Sequence, residues 1–243
     1  MKFAVFGGTG LIGSQVVEQL NAAGHEAVSH SKSTGADLVE GTGVEEAMAD
    51  ADVVINLTNS PTFDDASLAF FRASMDNLLA AAQKAGVRHI VILSIVGVDQ
   101  VPQLDYYRAK TLQENILESG PVPYSIVRAT QFMEFMEATM SWTTEGDAVH
   151  LPSTPIQPIA AKDVAAAVVD VAVGAPLQGI RNVAGPDVYP LDELGRITLQ
   201  ARPDGRTVVN DEEAGLFAVV QGDVLTAGDD AHIAPTHYTD WLG

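Results

Sequence analysis

The feature that most constrains this chain is a short apolar run, Phe3-Ala4-Val5-Phe6, that ends in Gly7-Gly8-Thr9-Gly10-Leu11-Ile12-Gly13. Glycine recurs at three-residue steps, at Gly7, Gly10 and Gly13. Downstream, Leu11, Ile12, Val16, Val17 and Leu20 have the spacing of one buried helix face, and Gly24 stops it. Strand, glycine turn and helix in that order are the context of a dinucleotide-binding motif. The first glycine permits a tight turn, the second lets a pyrophosphate approach bare backbone, and the third lets the helix pack closely on the strand. The helix N-terminus then faces the phosphates.

The rest of the chain alternates strands and helices. Residues 26–29 read as a second strand. In an NAD-specific site a carboxylate ends this strand and binds the ribose hydroxyls. Here the stretch reads Ser29-His30-Ser31-Lys32-Ser33, which offers a cation and hydroxyls instead. They suit a 2′-phosphate, so NADP(H) is the expected cofactor and NAD(H) the second choice. A solvated loop is the other reading of Lys32. Residues 37–39, Asp-Leu-Val, read as a short third strand that follows without the usual intervening helix. Residues 44–50 read as a short helix. The run Asp52-Val53-Val54-Ile55-Asn56-Leu57 has the continuous apolarity of a buried parallel strand. Thr58-Asn59-Ser60-Pro61 then lies at its carboxyl end, where ligands sit in such sheets. Phe63 to Ala85 is expected as one helix with Leu68, Phe71, Met75, Leu78, Leu79 and Ala82 on one face, capped by Gly86. His89 to Ser94 is the next strand, with His89 a structural residue at its start.

Such alternation predicts an α/β fold, a doubly wound parallel sheet of the Rossmann type with a small C-terminal substrate-side lobe. Residues 1–243 are read as a single domain. Residues 1–130 form its nucleotide-binding core, and 131–243 form a substrate-side lobe interleaved with it.

Composition narrows the function. Apolar residues make up 47% of 243, enough for a substantial core. With 13 basic against 32 acidic residues the net charge is −19, which argues against nucleic acid as a partner. It does not preclude a dinucleotide, which is held mainly by backbone N–H groups and a helix dipole. No apolar run approaches the ~20 residues of a membrane span, so no membrane partner is expected. The few apolar residues before the glycines are too short for a secretory segment, and a cytoplasmic location follows as an expectation. The chain has no cysteine, which removes thiol nucleophiles and thiolate metal sites. No grouping of His, Asp and Glu has metal spacing.

The candidate chemistry lies further on. Ser94 ends a strand, and Tyr106-Tyr107-Arg108-Ala109-Lys110 follows. Tyr106 and Lys110 are one helical turn apart and share a face. A nearby ammonium would favour the phenolate and lower the tyrosine pKa from its reference near ~10. Such a tyrosine exchanges a proton with a carbonyl or alcohol oxygen while hydride moves to or from nicotinamide. The Ser94 hydroxyl would hold the same oxygen. The plainer alternative is that Tyr106 packs and Lys110 is solvated.

The glycine turn, Leu93-Ser94-Ile95-Val96-Gly97-Val98 and the Tyr106–Lys110 pair together resemble the short-chain dehydrogenase/reductase superfamily. They resemble in particular its atypical, NmrA-like branch. Pro123 to Phe132, Pro158 to Ala165, and Asn182 to Leu194 resemble later segments of that branch. The resemblance implies that Thr9, Leu11 and Ile12 line the pyrophosphate turn and that Ser31, Lys32 and Ser33 meet the adenosine phosphate. It places Thr58, Asn59, Lys110 and Thr130 on the nicotinamide side and maps Ser94, Tyr106 and Lys110 onto the catalytic trio. It implies an NADP(H)-dependent oxidoreductase acting on a carbonyl or quinone. The branch also holds redox-sensing regulators and enzymes of unusual chemistry on aromatic compounds, among them an SDR-like monooxygenase, and both readings stay open.

Phe132-Met133-Glu134-Phe135-Met136 continues to Trp142 and is dense in aromatic and thioether side chains. Phe132, Met133 and Met136 are candidate walls of an apolar substrate pocket, with a core-facing stripe as the alternative. Asp163 is expected to cap the helix at 164–173. His232 and His237 are read as surface residues of an irregular tail. A small-molecule substrate is the expected partner, and the chain is expected to be a monomer or homodimer.

Overall fold

The computed structural model describes residues 1–243. Strand β1 (Lys2–Phe6) leads through the glycine turn into α1 (Leu11–Ala22) and β2 (Glu26–His30). Then come α2 (Val44–Ala47), β3 (Val53–Asn56), α3 (Ala66–Ala85), β4 (His89–Ile95), α4 (Asp105–Glu118) and β5 (Tyr124–Ala129). Beyond them lie α5 (Met136–Trp142), β6 (Thr144–Glu145), β7 (Ala148–Leu151), β8 (Pro155–Ile156), α6 (Ala161–Val173) and β9 (Ile180–Ala184). The chain closes with β10 (Tyr189–Pro190), α7 (Leu191–Ala201), β11 (Thr207–Asn210), β12 (His232–Ile233) and α8 (Tyr238–Leu242).

Seven strands make one sheet in the order β12-β9-β5-β4-β3-β1-β2, and every pair in it is parallel. Both faces are covered, which is why the strands are apolar throughout rather than alternating. On one face Phe3, Val5, Ile55, Val91 and Val127 pack against Ile12, Val16 and Leu20 of α1 and Val164, Val168 and Val171 of α6. On the other, Ala4, Phe6, Val54, Ile90, Ile92 and Ile126 pack against Met75 and Leu78 of α3 and Leu117 of α4. The fold is the Rossmann-like doubly wound sheet expected from the alternation of elements. The connections leave β1 for α1 on one face and β3 for α3 on the other, so a crevice opens at the carboxyl ends of β1 and β3.

Four expectations are corrected. Residues 37–39 form no strand. Asp37 makes a single bridge to Thr42, and its carboxylate takes the Val39 N–H at 2.9 Å, which turns the chain instead of extending it. Strand β2 is therefore the sheet edge, and the missing helix has no strand to serve. Helix α3 begins at Ala66, not Phe63, because the Asp64 carboxylate takes the Ala66 N–H at 3.1 Å and sets the start there. This leaves Phe63 in the loop. Asp163 does not cap α6, which starts at Ala161. Both oxygens of Glu134 meet the Ala161 N–H at 3.1 Å, while Asp163 holds the Thr236 N–H at 3.3 Å. The tail is irregular over most of its length but not throughout. It supplies the last sheet strand, β12, and helix α8, whose Tyr238 is fully buried and shares a 2.7 Å hydrogen bond with Thr198.

Residues past 130 do two jobs. α6, β9 and β12 complete the main sheet and its covering layer. The remainder forms a lobe in which α5 and α7 pack around the small sheet β11-β7-β6, over a core that includes Met136, Met140, Leu151, Leu191 and Leu194. No helix is long and apolar enough to cross a membrane.

Candidate active site

At the β1 end of the crevice the surface is main chain. Gly7 has a positive φ of 76°, and a Cβ there would lie 2.7 Å from the Leu57 carbonyl carbon. A Cβ on Gly13 would lie 2.1 Å from the Gly7 oxygen and 2.6 Å from the Gly8 Cα, so α1 is pressed onto the turn. Gly10 stands at the N-cap of α1, and no side chain caps the helix. Its first-turn N–H groups are left to an anion, in the partial positive charge of the helix end. Thr9, Gly10 and Leu11 are exposed, whereas Ile12 is buried in the core.

At the end of β2 the chain tightens into a single 3-10 turn over residues 32–34. Ser31 caps it: its N–H donates to Thr34 Oγ1 at 2.8 Å, and its hydroxyl meets that of Ser33 at 2.8 Å. Lys32 is 70% exposed and pairs with Asp37 at 3.1 Å. The predicted cation is present, but it is shared with a carboxylate.

The third part lies at the carboxyl ends of β3, β4 and β5. Asn56 Oδ1 accepts the Thr58 N–H at 3.0 Å and the Thr58 hydroxyl at 2.7 Å, which fixes the loop after β3. The next residue, Asn59, accepts a hydrogen bond from the Tyr106 hydroxyl. The Tyr106 ring packs edge-on against Phe63 with centroids 5.0 Å apart and lies 6.1 Å from Phe71. Lys110 is buried one turn along α4. Its ammonium donates to the Leu93 carbonyl at 2.7 Å and to Gln113 Oε1, and it sits 4.9 Å over the Phe71 ring. Tyr106 and Lys110 therefore flank one ring, Phe71, and Lys110 is bonded to the residue before Ser94.

The electrostatics depart from the expectation. Burial raises the Tyr106 phenol above its ordinary value, Tyr107 adds to this, and the Asn59 bond offsets part of it. Lys110 does not lower it, because its ammonium is turned to the Leu93 carbonyl. Burial instead brings Lys110 itself down to about 8, with Glu114 opposing. Glu114 is held in turn by Arg128, whose Nε donates to it at 2.9 Å and whose far nitrogens reach Asp99.

Three buried hydroxyls at these strand ends have no protein partner: Ser29 Oγ, Ser94 Oγ and Thr130 Oγ1. Buried polar groups are almost always hydrogen-bonded, so orphaned hydroxyls at the carboxyl ends of parallel strands are candidates for a ligand's place. Sequence reasoning singled out Ser94 and Thr130; it did not single out Gln131, whose amide lies against the Tyr107 hydroxyl. Phe132 is half-buried against the main core and stacks on Phe135. Met133 and Met136 are buried in the lobe core and do not form an open wall. The exposed aromatics near Tyr106 are Phe63 and Trp142.

Comparison with known proteins agrees with this geometry. An NAD(P)H-binding family matches residues 7–173, more than half the chain, and the protein belongs to that family. Its cofactor is accordingly NAD(P)H. A (4-alkanoyl-5-oxo-2,5-dihydrofuran-3-yl)methyl phosphate reductase of Streptomyces griseus is 29% identical over 215 residues, spanning 78% of this chain and 70% of that protein. Among solved structures, a nucleoside-diphosphate-sugar epimerase from Staphylococcus aureus superposes with a TM-score of 0.76 at 16% identity, covering 100% of this chain and 99% of that one. An NADPH-dependent quinone oxidoreductase from Escherichia coli gives 0.71 at 17% identity, covering 100% and 98%. At these identities the two structures share the fold. The nucleotide-binding family that the resemblance implied is borne out by the match over residues 7–173.

Proposed function

We propose that this protein is an NADP(H)-dependent reductase that delivers a hydride and a proton to a conjugated carbonyl or quinone on an apolar substrate. The observation that carries the reading is the pair of unpartnered buried hydroxyls, Ser94 Oγ and Thr130 Oγ1, at the carboxyl ends of β4 and β5. The reductase name of the Streptomyces relative and the quinone oxidoreductase name of the Escherichia coli neighbour support the same class.

The α1 N-terminus and the Gly7–Gly13 turn would hold the pyrophosphate, Ser31, Lys32 and Ser33 the adenosine phosphate, and Thr58, Asn59, Lys110 and Thr130 the nicotinamide half. The bound cofactor supplies hydride. Tyr106 would hold the proton and pass it to the carbonyl oxygen; its phenol, raised by burial, is a weaker acid than an exposed tyrosine until a ligand enters beside it. The substrate oxygen would replace Asn59 as acceptor of the Tyr106 hydroxyl, and Ser94 would donate a second hydrogen bond to it. Lys110 supplies buried positive charge next to Ser94.

Titration with NADPH and NADH, followed by stopped-flow mixing of the NADPH complex with quinones and aryl ketones, tests this. Tyr106→Phe is expected to lower turnover by about 100-fold or more with NADPH affinity unchanged. Turnover that survives the substitution would sink the assignment. Tight NADPH binding with no oxidation by any acceptor would favour the redox-sensing alternative.

A further inference from the structure

The sulfur of Met75 is the meeting point of two buried amides. Met75 on α3, Asn56 at the end of β3 and Gln113 on α4 are all buried. Asn56 Nδ2 donates to Met75 Sδ at 3.6 Å, and Gln113 Nε2 donates to it at 3.8 Å. A thioether accepts hydrogen bonds and cannot donate them. Both amides therefore turn their NH2 groups to the sulfur, which sends both carbonyl oxygens the other way. The Asn56 oxygen takes the Thr58 N–H and hydroxyl. The Gln113 oxygen takes the Lys110 ammonium. One chain of buried contacts thus joins the loop whose Asn59 holds Tyr106 to the cation bonded beside Ser94. Burying an amide in an apolar layer costs free energy that an aliphatic side chain would not. What the Gln113 amide adds is a directed oxygen.

We infer that Gln113 and Met75 are positioning residues: the amide, oriented by the sulfur, holds the Lys110 ammonium at the Leu93 carbonyl and keeps it charged beside Ser94. The inference rests on the reductase reading for what Lys110 then does. An ammonium has three donors. Leu93 and Gln113 take two of them, which leaves one for a ligand at the carboxyl end of β4. Burial works against the charge and brings Lys110 down to about 8, whereas hydrogen bonds to the ammonium favour it. The charge that acts on Lys110 directly is Glu114, one turn further along α4. Arg128 of β5 holds Glu114 and is shared with Asp99 of the loop after β4. From α3 the Phe71 ring faces the ammonium, and Tyr106, one turn back on α4, flanks the same ring. With Glu114 offset by Arg128, the oxygens of Gln113 and Leu93 decide how firmly the proton is held.

The test reads Lys110 itself in the full chain. There are five lysines, and Lys110 alone among them is buried. In protein carrying carbon-13-labelled lysine, its Cε resonance is assigned by its loss in Lys110→Arg, and its titration midpoint is followed by NMR. Gln113→Leu removes the oxygen at similar volume and is expected to lower the midpoint by about one pH unit. Gln113→Glu places a carboxylate there and is expected to raise it by about as much. Met75→Leu keeps the core volume but frees the Gln113 amide to turn its NH2 to an uncharged amine, so a smaller fall is expected. The upper pH limb of kcat/KM for NADPH-dependent quinone reduction is expected to move with the midpoint in each variant. A packing role alone would change the thermal melt and leave the midpoint in place. A circular dichroism melt checks folding, and Met75→Leu carries the test if Gln113→Leu does not fold. Midpoints that stay at the wild-type value, or that move the same way in both Gln113 variants, overturn the inference even where NADPH is oxidised. Midpoints that move as expected, with no acceptor oxidising NADPH, uphold the positioning and overturn the reductase reading.

Discussion

At the β1 end of the cleft the surface is backbone; at the β4–β5 end it is side chains. The Gly7–Gly13 turn is close-packed to the point that a single methyl on Gly13 would lie 2.1 Å from a main-chain oxygen. Ser94 and Thr130 are also buried, but their hydroxyls are unpartnered. The first region is already at its packing optimum without ligand. The second leaves buried hydroxyls unpaired, which costs stability in the free protein. One end is fixed by shape, and the other, on the reading proposed above, is completed by its ligand.

The largest test of this contrast is Gly13→Ala. In an open helix, alanine for glycine stabilises by about 1 kcal/mol. Here the new methyl would meet backbone on two sides, and a loss of about 3 kcal/mol is expected from overpacking, together with loss of NADPH binding. Thermal melts and a nucleotide titration measure both; a stabilised variant would break the comparison.

A control lies at the other end of the strand that carries Ser94. His89 is buried and bonded to Ser125 at 2.8 Å, and burial pulls its pKa from 6.5 to about 4. Between those values the unfolded chain binds a proton that the folded chain refuses. Stability is therefore full above about pH 6.5 and falls as pH drops toward 4, by about 2 kcal/mol at pH 5. Urea unfolding at pH 5 and 7.5 should show the drop in wild type and a smaller one in His89→Gln. Asp52, held below its ordinary 3.8 by the Lys2 N–H and Arg88, loses its contribution only further down.

A smaller effect with an opposite sign distinguishes the two ends most sharply. Ser94→Ala removes a buried, unpartnered hydroxyl and is expected to stabilise the free protein by about 1 kcal/mol while reducing turnover. Destabilisation would mean that the hydroxyl is satisfied within the protein. The smallest effect belongs to Lys32. Because it is exposed and shared with Asp37, Lys32→Ala is expected to weaken NADPH by about fivefold and to leave NADH unchanged. Equal loss for both nucleotides would remove Lys32 from the 2′-phosphate site.

Much of the fold was legible locally. Strands β1, β3 and β4 announce themselves as apolar runs because both faces of a parallel sheet are buried, and Phe71, Met75, Leu78 and Ala82 do fall on the buried face of α3. What misled was competition from short polar side chains. Asp37 turned a three-residue apolar segment away from the sheet, Asp64 delayed α3, and Glu134, from 27 residues upstream, displaced Asp163 from the start of α6. The methionines of residues 133–136 carry the same hydrophobic signal whether they line a pocket or a core, and only packing against Leu191 and Leu194 resolved them.

By itself the sequence determined the parallel sheet, the glycine turn and the placing of Tyr106 and Lys110 one turn apart on α4, because glycine spacing, apolar runs and helical periodicity act over a few residues. Tertiary structure alone decided that Lys110 serves the Leu93 carbonyl and Gln113 instead of the Tyr106 phenol, and that Phe63 meets Trp142. Those outcomes depend on desolvation and on contacts between segments up to 79 residues apart, as with Phe63 and Trp142, which no local pattern encodes.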